Sequence, residues 1–103
     1  MTRLESFNTL LAHLPEAREG NMFGYPCLKL GRKPFAFWSV HNEGSIAFKL
    51  LGEDHEWAMS LPGAQLFAPK GEASPMKNWV EVPPDYRELW PELALKALSI
   101  IAP

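Results

Sequence analysis

Three short apolar runs between Asn21 and Leu51, separated by two turn signals, organise the hydrophobic pattern of this chain. Gly31-Arg32-Lys33 and Asn42-Glu43-Gly44 each offer a three-residue hairpin loop with a glycine available for a left-handed position. These turns predict a meander in which Leu30 pairs with Pro34, Leu28 with Ala36, Val40 with Ile46, Trp38 with Phe48 and Ala36 with Leu50. Side chains alternate across a strand, so Leu28, Leu30, Ala36, Trp38, Val40, Ile46, Phe48 and Leu50 share an uncharged face. Cys27, Lys29, Phe35, Phe37, Ser39, Ala47, Lys49 and Leu51 fall on the other, a mixed face of aromatic, small and cationic groups.

The flanking segments supply covers for the uncharged face. Thr2 and Glu5 make a capping box, and Leu4, Phe7, Leu10, Leu11 and Leu14 recur at helical spacing, predicting a helix over 3–14 that stops at Pro15. Residues 16–20 read as a charged loop. Acidic residues at 53–56 open a short helix that presents Trp57 and Leu61 and ends at Pro62-Gly63. Residues 64–67 read as a short strand or an extended segment, and 69–75 as a turn-rich loop. Lys77–Val82 reads as a further strand, with Val80 and Val82 on one face and Trp79 and Glu81 on the other. A helical turn follows from Pro84 to Trp90. Pro91 then starts a helix with Leu93, Ala94, Ala97, Leu98 and Ile101 on one stripe. This order predicts an α+β fold, an antiparallel sheet with helices packed on one face.

The 103 residues contain no linker or low-complexity tract, so one domain over 1–103 is expected. A hydrophobic content of 47% against 21% charged places the chain in the globular class. No apolar run reaches the roughly 18 residues of a membrane span. A lone Cys27 and an acidic residue where a signal peptide needs its apolar core point to the reducing cytoplasm. Ten Lys and Arg against twelve Asp and Glu argue against affinity built mainly on phosphate neutralisation.

Dinucleotide, nucleotide and zinc-protease motifs are missing, and Ser45 in Glu-Gly-Ser-Ile-Ala lacks the second glycine of a nucleophile elbow. No catalytic residue, metal ligand or cofactor is expected. His41 and His55 with Glu43, Asp54 and Glu56 read as solvated turn and helix-start residues in preference to a metal site. Cys27 reads as a small buried hydrophobe, the alternative being a thiol activated by Lys29 in a redox sensor or enzyme. Lys29, Arg32, Lys33 and Lys49 are the densest basic group. On the mixed face, Phe23, Tyr25, Cys27, Lys29, Phe35, Phe37, Lys49 and Trp79 form a candidate binding surface. Two readings stand there: a helix or loop of the chain covers the aromatics, or they are exposed for a partner or a second copy.

Met22-Phe23-Gly24, Tyr25-Pro26-Cys27, Gly31 before Phe35-Ala36, Leu61-Pro62-Gly63-Ala64, and Pro75-Met76-Lys77 leading to Val80 and Pro83-Pro84 resemble the N-terminal domain of TfoX/Sxy-type proteins. The resemblance runs from about Asn21 to Ala102. It implies an α+β domain related to YjbR-like and secretion-chaperone-like folds, with helices on one sheet face. TfoX proteins are named for competence regulation, and longer members carry a second, C-terminal domain. The resemblance supplies no catalytic residues. Its functional implication is a binding or regulatory module that meets a protein partner or its own copy, with a nucleic-acid-linked transcriptional role as the alternative.

Overall fold

The computed structural model describes residues 3–22, 24–39, 44–68 and 75–101. The elements are α1 (Arg3–Leu11), β1 (Arg18–Met22), β2 (Tyr25–Leu30), β3 (Lys33–Trp38), β4 (Ile46–Lys49), α2 (Gly52–Met59), β5 (Gln65–Phe67), β6 (Met76–Val82), a 3-10 segment (Pro84–Leu89) and α3 (Trp90–Ile101). The six strands form one sheet in the order β1-β2-β3-β4-β6-β5, with every neighbouring pair antiparallel. The expected α+β class and helix-covered sheet are therefore present.

The helices all pack on the uncharged face. Phe7, Leu10 and Leu14 from α1 and its following turn, Ala58 of α2, and Leu93, Ala94, Ala97 and Ile101 of α3 share a core with Leu28, Ala36, Ile46, Phe48, Leu50, Val80 and Val82. Phe7 meets Trp38 edge-on, with ring centroids 6.1 Å apart. Helix α1 ends earlier than the apolar stripe suggests: His13 N–H and Leu14 N–H donate to the Leu10 and Leu11 carbonyls, tightening the last turn before Pro15. Leu14 is buried nonetheless. Thr2 of the predicted capping box lies outside the described residues, as does the Leu4 side chain.

Three differences from the predicted sheet have physical causes. Residues 18–22 form an edge strand where a loop ending at Gly20 is expected, because β1 is held by backbone pairing to β2 and shows little apolar alternation. The β3–β4 register is Trp38 with Ile46 and Ala36 with Phe48, two residues from the expected pairing, and a shift of two leaves every side chain on its face. Ile46 therefore pairs with Trp38 in place of the expected Val40, which itself lies outside the described residues. In the first hairpin Leu28 does pair with Ala36, but Lys29 pairs with Pro34 and Leu30 with Lys33, leaving Phe35 as an extra residue. Such a bulge breaks the alternation. Phe35 accordingly joins Ala36 in the helix-side core and is absent from the mixed face.

Candidate functional site

The mixed face carries a second, smaller core. Cys27, Phe37, Ala47, Phe67 and Trp79 are buried together, with Met22, Tyr25 and Met76 partly buried around them. Their convergence depends on an irregularity between β5 and β6. Leu66 pairs with Val80, yet the next residue, Phe67, pairs with Met76, so Lys77, Asn78 and Trp79 bow out between the two pairs. Phe67 then stacks on Phe37 and meets Tyr25 edge-on at 6.0 Å, while Phe37 lies 4.9 Å from Trp79.

Of the two readings of these aromatics, the covered one describes the molecule. Phe37 is 1% exposed, and Phe35 and Cys27 are fully buried. Trp79 is also interior. These four are therefore removed from the candidate contact surface: Cys27, Phe37 and Trp79 because Phe67, at the end of β5, packs with them on the face that the helices leave open, and Phe35 because it lies in the helix-side core. Tyr25, Lys29 and Lys49 retain partial exposure. Phe23, His41, Glu43 and residues 69–74 lie outside the described residues. Among the motif residues, Met22 and Met76 pack on the second core, Gly24 turns β1 into β2 at φ 82°, Pro75 precedes β6 and Lys77 is exposed within it.

Among the described residues, the charged side chains that reach solvent on this face are cationic. Arg18 pairs directly with Lys29, and Lys49 pairs with Trp79, so all three project on the side of Cys27 and Ala47. The Lys29 chain lies across Gly20, where an added Cβ would come within 2.6 Å of its Cε. Arg32 and Lys33 are exposed at the adjoining hairpin end. The basic group read from the sequence is thus enlarged by Arg18, which the missed edge strand brings in.

Burial pushes the Cys27 thiol above its ordinary pKa, outweighing the opposite pull of Lys29, and Glu19 pushes it in the same direction as burial. That disfavours the thiolate needed by a nucleophile or redox sensor. A second polar group was not singled out in the sequence. Glu81 is 4% exposed in line with Ala47 and accepts a 2.8 Å hydrogen bond from Gln65 Nε2. Only the Trp79/Glu81 alternation signalled its inward direction.

His55 and Asp54 do not converge on a metal site. His55 Nε2 lies 2.7 Å from the Lys77 carbonyl, and Asp54 pairs with Lys96 at 3.0 Å. Among the described residues no group of three His, Cys, Asp or Glu could hold a metal ion. Nor, among those residues, is any helix long and apolar enough to cross a membrane. In comparisons with family models, curated proteins and solved structures, the chain matches none.

Proposed function

We propose that this chain is a non-enzymatic binding module that receives an acidic protein segment on the cationic side of its second sheet face. The observation carrying this reading is the alignment of Arg18, Lys29 and Lys49 on one face above a closed apolar floor. A rigid floor limits the conformational freedom lost on binding, and several cations on one side favour an anionic partner. The resemblance to the TfoX N-terminal domain supports the same functional class, a regulatory interaction domain without catalytic residues.

Nucleic acid is the second reading, favoured by Arg32 and Lys33 beside Lys29 at the hairpin end. The formal net charge of -2 favours protein over a polyanion as long as DNA. Titration of a fluorescent acidic peptide and of duplex DNA, each across a salt series, separates the two. The expected result is salt-sensitive peptide binding that weakens by roughly tenfold in Lys29→Glu/Lys49→Glu. Binding of DNA alone would transfer the role to nucleic acid, and binding of neither at low salt would remove the proposal.

A further inference from the structure

The two outer strands of the sheet differ. β5 spans three residues and turns Phe67 over the second core, and the residue paired with its Gln65 is the buried Glu81. β1 spans five residues in unbroken register with β2, with neither a proline nor a bulge to blunt its outer side. The register also shows which backbone groups face outward. Pro26 has no N–H to donate, so its pair with Asn21 is a non-hydrogen-bonded one, and the Asn21 N–H and C=O point away from β2. Asn21 is exposed, and among the described residues no strand or backbone hydrogen bond meets it from the outer side. An extended segment can add to such an edge as a further strand, held by main-chain hydrogen bonds.

Charge selects the segment. Lys29 pairs with Arg18, which sets two cations side by side on one face, and the Lys29 chain then crosses to Gly20. A Cβ added at Gly20 would lie 2.6 Å from Lys29 Cε and 3.2 Å from its Nζ, so the missing side chain is what lets the ammonium sit over β1 itself. Like charges in direct cross-strand register repel. Carboxylates on a strand added beside β1 would lie next to both cations and offset that repulsion. Glu19 faces the other side of the sheet with Leu28, so those carboxylates belong at every second position. A second copy fits poorly, because antiparallel pairing of two β1 strands about Gly20 would bring two Lys29 ammoniums together.

We infer that β1 takes an extended acidic segment of a protein partner as an added strand, with carboxylates at every second position beside Arg18 and Lys29 and main-chain bonds to Asn21. Strand addition presupposes that the cationic face receives an acidic protein segment, and it specifies how that segment is held.

Amide hydrogen exchange of the intact chain, followed by nitrogen-15 NMR with and without a capped peptide of alternating glutamate and threonine, tests this. The Asn21 backbone amide should exchange fast in the free protein and at least about tenfold more slowly at saturating peptide. Asn21→Pro removes that outward donor with no change of charge and no loss of a β1–β2 ladder bond, and should weaken binding roughly tenfold. Methylating alternate peptide amides should weaken binding in one frame only, because an added strand turns every second amide to its neighbour; this arm needs no variant to fold. Peptide binding that leaves Asn21 exchange unchanged, or that responds alike to methylation in both frames, would overturn strand addition and leave the cationic face as the binding surface. An Asn21 amide already slowed in dilute free protein would also overturn strand addition alone. Absence of peptide binding at low salt would overturn both.

Discussion

Phe37 stacks on Phe67 with ring centroids 5.6 Å apart and planes inclined by 24°, although β4 and β6 lie between their strands in the sheet. Three strand spacings would place those positions ~14 Å apart in a flat sheet. The contact is made because the β5–β6 pairing skips from Val80 to Met76, carrying Phe67 over the face. The domain thus has an apolar core on each side of its sheet, one closed by helices and one by the end of β5.

Phe37→Ala and Phe48→Ala should therefore destabilise the domain to similar extents. Phe37 is 1% exposed in the second core and Phe48 is 0% exposed in the first. Removing a buried phenyl ring costs about 3–5 kcal/mol through lost transfer energy and the cavity left behind. Denaturant titration at low protein concentration compares them. A loss for Phe37→Ala less than half that for Phe48→Ala would mean that the second core is completed only by a partner.

Much of the sheet was legible because its side chains alternate with period two. Leu28, Ala36, Ile46, Phe48 and Leu50 reach the same core whether β3 and β4 pair in the expected register or two residues away. Phe35 was misplaced because a bulge leaves no mark in that alternation. The edge strand was hidden for another reason: Arg18, Glu19 and Asn21 pair through backbone groups that every residue possesses. The covering of Phe37 depends on how distant elements pack, which no local period encodes. Among the candidate contacts, Lys29 and Lys49 keep partial exposure while Phe37 and Trp79 are interior, because aromatic area is what the second core buries.

Two glycines in and beside β1 should respond to alanine in opposite ways to what space alone suggests. At Gly20 the new methyl would meet Lys29 Cε at 2.6 Å, but that atom is near the end of a flexible chain and can move aside. Gly24 has nothing within 4 Å, yet its φ of +82° is strained for any residue with a Cβ. Gly24→Ala should cost about 1–2 kcal/mol. Gly20→Ala should stay within about 0.5 kcal/mol, the usual range for a surface change. Thermal and denaturant unfolding of the two variants should rank them in that order; the reverse ranking would mean that Lys29 cannot leave Gly20.

Cys27 should give the domain a specific weakness in alkali. Its folded pKa is raised, chiefly by burial, whereas in the unfolded chain it titrates near an ordinary value of about 8.5. Below that value both states hold the proton and the stabilisation from the buried thiol is fully present. As pH rises above it, the unfolded chain loses the proton first and binds fewer protons than the native state, so stability falls until the folded thiol also ionises. The stability advantage of the native protein over Cys27→Ala should accordingly shrink between about pH 8.5 and the higher folded pKa, after both are compared at the same salt concentration. Denaturation midpoints across pH 7–10 measure this, and a thiol reagent at neutral pH should react with the native protein more slowly than with a free cysteine. Parallel stability profiles for the two proteins, or reaction as fast as a free thiol, would mean that Cys27 is open to water and that the second core does not close over it.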